Sequence, residues 1–356
     1  MKHGKLIAGV VVFAVLVGFG TWAYRHVGFN FAALRAQLVQ VRWSKIALGF
    51  AFIYAGYILR SVRWALLIRH NRRVPVFSLL GTQVIGFTSV ALVGRVADLA
   101  RPYMVAKKTG LPISTQVAVY IVERLFDAGS MALMFSSVIL LAPTGALPHP
   151  EIFRKVGYWG LAGAVAGALF LVAVRVAGGA VASAFERVLG SLSQGLGKAV
   201  GNKIREFRTG LDTLRTAGDL LATLGISLAM WGLIMASYLS TMRAFEASPQ
   251  LASMTLAKGM VLMIVSGGAS IFQLPVLGWF TQIGVVATAL SSLFNVAPEP
   301  ATACAAMLLV VTFLGIVPVG LIWAQFEHVS LRKVAEESEH AGEEIAAQQQ
   351  VSEPAS

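Results

Sequence analysis

Forty consecutive residues, Gly259–Pro298, contain no Asp, Glu, Lys or Arg. A water-soluble fold cannot keep a stretch of that length away from its own surface. A bilayer-spanning helix needs roughly 20 mostly apolar residues, so this stretch alone is long enough to cross twice. Shorter uncharged runs recur along the chain at Leu6–Ala23, Ile46–Leu59, Val74–Gly94, Ala128–Leu141, Val156–Val174, Leu220–Met242 and Pro300–Gln325. They are continuous rather than alternating at every second residue, which points to membrane helices and away from a β-barrel. Composition agrees. Charged residues make up 13% and hydrophobic residues 56%, with a mean hydropathy of +0.72, whereas soluble domains run near 25% charged. Soluble globular, disordered and disulfide-rich classes are thereby excluded, and the single cysteine, Cys304, has no partner for an internal bridge.

The net charge of +12 lies in short basic patches between the apolar runs, while the tail from Glu327 is acidic. Patches of this kind mark loops on the anionic cytoplasmic face, so lipid headgroups rather than nucleic acid are the expected partners. The reading is an all-α polytopic bundle over residues 1–326, followed by a polar, disordered extension over 327–356. It has six full spans, at about 6–23, 44–68, 114–141, 156–174, 220–242 and 300–325, and both termini are cytoplasmic. Phe29–Trp43 reads as a helix lying in the interface. Arg60 and Arg63 are expected to snorkel from the end of the second span, and with Arg69, Arg72 and Arg73 to set orientation and meet headgroups. Gly163 and Gly167 form a small-xxx-small packing face. Arg175–Asp219 reads as an amphipathic helix on the cytoplasmic surface. Trp22, Trp43, Trp64, Trp159 and Trp323 fall near helix ends as interface anchors.

Two segments do not read as simple spans. Val74–Gly94 is uncharged but studded with Ser78, Thr82, Gln83, Thr88 and Ser89, and it is basic on both flanks. A segment with two positive ends is expected to enter and return on the same side, as a re-entrant hairpin. Gly259–Pro298 is interrupted around Gly267-Gly268 and again at Gln273, Pro275 and Gly278. It either crosses twice or forms a second hairpin, with Gln282 on its returning limb. Broken segments in the two halves, entering from opposite faces, are the arrangement of inverted-repeat transporters, whose site lies near the midplane.

One constellation stands apart. Arg95, Asp98 and Arg101 are spaced to share a helical face, and Glu123, Arg124 and Asp127 follow. Glu123 and Asp127, four apart, repel each other unless a cation sits between them. Charges inside a membrane persist when paired or when lining a wet cavity, and arginine forks suit phosphate. Arg95, Arg101 and Arg124 are therefore the candidate headgroup ligands. Asp98, Glu123 and Asp127 are the acids that hold those arginines and could titrate.

The motif Gly94-Arg95-x-x-Asp98-Leu99-x-Arg101-Pro102, followed by Glu123-Arg124-x-x-Asp127, resembles the signature of the lysylphosphatidylglycerol synthase transmembrane family, which includes flippase-like proteins. The resemblance covers roughly residues 5–326. It implies a bacterial inner-membrane protein with re-entrant elements that moves or handles lipids, and it carries over Arg95, Asp98, Arg101, Glu123, Arg124 and Asp127. Two departures stand out. Ala97-Asp98 replaces the family's usual Gly-Glu, and Gln282 stands where a Pro-Gly-Gly-x-Gly-x-x-Glu stretch would place its glutamate. The family's soluble aminoacyltransferase domain is not expected in the residues that follow the last span, nor is synthase activity.

No P-loop, catalytic triad or metal-ligand spacing is present, and the six histidines at positions 3, 26, 70, 149, 328 and 340 are scattered. No cofactor or metal is expected. The function read from the sequence is translocation of an anionic phospholipid or a polyprenyl-phosphate-linked lipid, by a chain acting as a homo-oligomer or beside an envelope-lipid synthesis partner. Two alternatives stand beside it. One is a lipid-modifying enzyme using Glu123 and Asp127 as acid and base. The other is a non-transporting partner subunit of an envelope-lipid assembly.

Overall fold

The computed structural model describes residues 31–143, 145–191, 193–211, 216–270 and 277–327, and the regular elements among them are all helical. The expected first span at 6–23, the breaker residues Gln273 and Pro275, and the tail from residue 328 lie outside them. A short helix α1 (Phe31–Val39) leads into α2 (Trp43–Ile68), α3 (Val76–Val93), a 3-10 turn at Arg95–Leu99, and α4 (Ala100–Thr109). Next come α5 (Ile113–Leu141), α6 (Pro150–Gly190), α7 (Gln194–Leu211) and α8 (Ala217–Met242). The chain continues through α9 (Pro249–Ala252), α10 (Leu256–Ala269), α11 (Leu277–Phe294), α12 (Pro298–Leu309), a π turn at Val310–Leu314, and α13 (Ile316–Phe326).

Among the described residues, six stretches are long and apolar enough to cross a membrane: α2, α3, α5, α6, α8 and the run from α12 through α13. Five of them coincide with expected spans; α3 is the addition.

The bundle has two distinguishable ends, fixed by polar ties between helices that run in opposite directions. At one end, Arg69 and His70 after α2 meet Asp219 at the start of α8, with the histidine Nε2 3.0 Å from the carboxylate. Arg72 donates to the Thr109 carbonyl, and Lys108 pairs with Glu327 at 2.7 Å. At the other end, Glu246 accepts from Arg42 at 3.1 Å and Lys45 at 2.9 Å, and Arg243 donates to the Met254 carbonyl at 2.7 Å. The first of these, with Arg69, Arg72, Arg73, Lys107 and Lys108, is the basic end.

Two helical hairpins are inserted into this frame from opposite ends. The expected return within Val74–Gly94 does not occur: α3 is one unbroken helix about 27 Å long. The chain reverses just beyond it. Gly94 (φ 90°) takes a backbone conformation that side chains disfavour, and α4 then comes back to place Thr109 beside Arg72. The turn was hidden in the sequence because residues 95–101 are charged and read as a surface flank. Pro102 sets where α4 begins, since it has no N–H to offer the carbonyl of Asp98 but is tolerated in a first helical turn. The second hairpin is α10–α11. Gln282 Nε2 donates to Ser266 Oγ at 2.8 Å near its tip, and Lys258 lies 5.7 Å from the Phe294 ring centroid at its open end. That open end lies beside Met254, at the end of the bundle away from the basic one.

Helix α6 is a further difference. The expected span at 156–174 runs on to a non-helical kink at Ala177 (φ −131°, ψ 37°), beyond which a second helical stretch continues to Gly190. Helix α7 then folds back along it, so that Arg205 pairs with Glu186 at 2.7 Å and Ile204 joins Val174 and Ala182 in one buried cluster. The segment expected as one surface helix over 175–219 is therefore the end of α6, the antiparallel α7, and the start of α8. Among the described residues, nothing lies within 4 Å of a Cβ built on Gly163 or Gly167, so that face is open rather than packed.

Close packing by glycine occurs instead between α3 and α13. A Cβ at Gly320 would stand 1.9 Å from Thr88 Oγ1 and 3.1 Å from the Val84 carbonyl oxygen. Overpacking of a close contact costs about 1–3 kcal/mol. Gly320→Val is expected to lower the midpoint of a thermal melt in detergent by several degrees, while Gly163→Val leaves it in place. Equal midpoints for the two variants would contradict the α3–α13 contact.

Candidate functional site

The interior of the bundle is built on polar residues that its helices cannot turn outward. Ser61 and Arg63 on α2 are fully buried, as are Thr82, Gln83, Thr88 and Ser89 on α3. Arg101 and Glu123 are each 1% exposed and Asp127 is 6% exposed. Glu123 and Asp127 stand about 15 and 21 Å along α5, near the middle of a helix roughly 43 Å long.

Four guanidinium groups converge on these two carboxylates. Arg63 lies between them, with Nη1 2.6 Å from Asp127 Oδ1 and Nη2 3.0 Å from Glu123 Oε1. Its Nη1 also donates to Ser227 Oγ of α8 at 2.8 Å. Arg101, brought in by the α3–α4 hairpin, reaches Glu123 at 3.1 Å and donates to Gln83 Oε1 at 3.1 Å. Arg124 pairs with Glu123 at 2.7 Å and Asp127 at 3.1 Å, and Arg60 stands 3.6 and 3.8 Å from the same two acids. The repulsion expected between acids four apart on one helix face is thus offset by an arginine from another helix.

Aromatic rings complete the surroundings. The guanidinium carbons of Arg60 and Arg101 lie 4.8 and 4.4 Å from the centroid of one ring, Phe87. Tyr120 takes Arg101 and Arg124 at 5.3 and 5.2 Å. Such contacts contribute about 2 kcal/mol when desolvated, and they hold the forks in fixed planes. The Trp64 indole donates to Gln116 Oε1 at 2.9 Å, which ties α2 to α5 beneath the cluster.

The structure departs from several expectations here. Arg60 and Arg63 do not snorkel: Arg63 is fully buried and Arg60 only 13% exposed at its side chain. Pairing with two acids removes the need to reach water. Trp64 is not an interface anchor, being fully buried; Trp43 and Trp159 are exposed, at 58% and 77%. The shared helical face of Arg95, Asp98 and Arg101 is divided, because Arg95 and Asp98 lie in the 3-10 turn and Arg101 in the first turn of α4. The side chain of Arg95 is outside the described residues. Asp98 is half-buried and close enough to Tyr120 to act on it electrostatically.

The second-half candidates lie elsewhere. Gly267 and Gly268 are exposed in the last turn of α10, Gly278 is buried at the start of α11, and Gln282 bonds Ser266 rather than any charge. Gly267 sits within van der Waals reach of Met131, one helical turn beyond Asp127 on α5. The two hairpins therefore approach the middle of α5 from opposite ends, but the ion pairs come from the first alone.

Sequence reasoning missed Arg60, Arg63 and Gln83 as site residues. A signal existed. Two arginines three apart on an otherwise apolar helix present a doubly positive face, which is the complement of Glu123 and Asp127.

Fold and site together define a multi-pass helical membrane protein with an ion-pair cluster buried at mid-bundle. The chain belongs to the lysylphosphatidylglycerol synthase TM region family, whose profile matches residues 6–320. No curated protein and no solved structure matches it. Membership associates the chain with membrane lipids.

Proposed function

We propose that the chain is a flippase-like carrier that receives the anionic headgroup of a phospholipid or polyprenyl-phosphate-linked lipid at the arginine cluster and passes it across a bacterial inner membrane. The observation that carries this reading is charge imbalance in the interior. Four guanidiniums face two carboxylates, and Arg63 Nε, Arg101 Nε and Nη2, and Gln83 Nε2 have no acceptor among the described residues. Buried donors without acceptors, and buried charge without full compensation, each cost several kcal/mol unless a ligand answers them. An anionic headgroup does so, and its tails can remain in the bilayer.

The opposed hairpins support a site reachable in turn from either face, with α3–α4 the re-entrant element on the basic side. By the excess of Lys and Arg, that side is cytoplasmic, and Glu327, paired with Lys108, lies on it. Both carboxylates are held by arginines, which favours a binding role over acid–base chemistry on the lipid. Nothing in the arrangement favours a merely accessory subunit over a carrier.

Proteoliposomes with fluorescent anionic and zwitterionic lipids test this. Arg124, whose side chain is 41% exposed, can be truncated with the least risk to folding. Arg124→Ala is expected to slow anionic-lipid translocation about tenfold, the equivalent of one charged hydrogen bond, with melting and monodispersity kept. Translocation at the wild-type rate in both Arg124→Ala and Arg101→Gln would refute the proposal.

A further inference from the structure

We infer that the cluster is built for the terminal, doubly charged phosphate of a phosphate monoester rather than the singly charged phosphate of a phosphodiester. The inference rests on the proposal above that the cluster receives an anionic headgroup, and it specifies the chemistry of that headgroup.

Charge is the first argument. Arg60, Arg63, Arg101 and Arg124 contribute four positive charges, since guanidinium does not deprotonate in proteins. Glu123 and Asp127 remove two, and Asp98 on the adjoining turn removes a third at most. A surplus of one to two positive charges is left in the interior. A phosphodiester brings one negative charge; a monoester near neutral pH brings about 1.5 to 2, with its second ionisation near pH 6.

Donor geometry is the second. Among the described residues, the acceptor-free donors come from three helices: Arg63 Nε from α2, Gln83 Nε2 from α3, and Arg101 Nε and Nη2 from α4. Arg60 and Arg101 share the Phe87 ring, while Gln83 is bonded to Arg101 itself, so these groups border one locus. The three non-bridging oxygens of a terminal phosphate can meet three such directions. A diester offers only two free oxygens.

Enclosure is the third. Arg63, Gln83, Arg101 and Glu123 are each at most 1% exposed. A group substituted on one side can enter such a site end-on, whereas a diester must thread a chain out of each side.

The test uses the full-length protein in zwitterionic nanodiscs. Binding of phosphatidic acid, a monoester, is compared with that of phosphatidylglycerol, a diester with the same acyl chains, at pH 7.5 and pH 5. The charged and titratable groups facing the bound phosphate would be Arg60, Arg63 and Tyr57 from α2, Arg101 and Asp98 from the α3–α4 hairpin, and Tyr120, Glu123, Arg124 and Asp127 from α5. Phosphatidylglycerol at both pH values reports any change in these protein groups, because the diester does not titrate there.

At pH 7.5 phosphatidic acid is expected to bind at least tenfold more tightly than phosphatidylglycerol. The advantage should shrink severalfold at pH 5, where the monoester carries one charge, and Gln83→Leu should reduce it at pH 7.5. Equal affinity for the two lipids would overturn this inference and leave the headgroup proposal standing. Binding of neither would overturn both. Glycerol 3-phosphate is the final arm: if it displaces phosphatidic acid at equal concentration, the monoester chemistry holds but the lipid as its source is overturned.

Discussion

Glu123→Leu is expected to cost roughly 3–5 kcal/mol of folding stability, the range for removing one partner from a buried ion pair. Glu123 is the acid on which Arg63, Arg101 and Arg124 all close within 3.1 Å, with Arg60 at 3.6 Å. Without it, three guanidiniums, those of Arg60, Arg63 and Arg124, share Asp127, and Arg101 loses the only ion pair formed for it among the described residues. The α3–α4 hairpin is held in the bundle by the apolar cluster that Ile85, Ala97 and Ala100 form with Ala324 of α13, by the close approach of Gly320 to Thr88, by the ties of Arg72 to Thr109 and Lys108 to Glu327, and by this arginine. Its loosening should therefore accompany the loss. Titration with a denaturing detergent reads the stability, and proteolysis near Gly94 reads the hairpin. Glu246→Leu is the control, since that acid pairs with Arg42 and Lys45 at an exposed end of the bundle, where ion pairs contribute little. If the two variants unfold together, the buried cluster is not what secures the hairpin.

The sequence made the helices legible because uncharged runs are a local property. The second span was expected at 44–68 and is observed at Trp43–Ile68, and the last at 300–325 lies inside Pro298–Phe326. The acids of the site were legible for the same reason. Glu123 and Asp127 stand four apart in an apolar helix, and their mutual repulsion demands a cation.

What the sequence could not supply was the identity of that cation. Arg63 lies 64 positions from Asp127, and its spacing from Arg60 marks a doubly positive face without saying which acids that face meets until the helices are packed. The turn at Gly94 failed to show for a related reason. Charge was taken as a sign of water, whereas Arg101 is buried by its own pairing. The extent of α6 was obscured by a change of composition at Arg175, beside the kink at Ala177 beyond which helix resumes to Gly190.

The same pairing logic yields the second large effect, and it separates the structural role of the cluster from its binding role. Arg63→Met alone leaves Asp127 with Arg124 at 3.1 Å and Arg60 at 3.8 Å, and removes the bond that Ser227 Oγ accepts from Arg63 while the hydroxyl keeps its own bond to the Thr223 carbonyl. Asp127→Leu alone leaves Arg63 with Glu123 at 3.0 Å. Each should cost about 3 kcal/mol, the lower end for a broken buried pair, because other partners remain. The double variant replaces an ion pair by apolar volume, a change that is often close to neutral. It should therefore unfold at a denaturant level well above either single variant, which requires a coupling energy greater than the ~3 kcal/mol cost of one substitution alone.

Function should not recover with it. The double variant keeps the net charge of the cluster but removes Nε of Arg63, one of the donors open to a ligand. Restored folding with translocation still depressed about tenfold would show that Arg63 meets the headgroup directly. Restored folding together with restored translocation would assign Arg63 and Asp127 to scaffolding, and would move the headgroup contacts to Arg60, Arg101 and Gln83, which both substitutions leave in place.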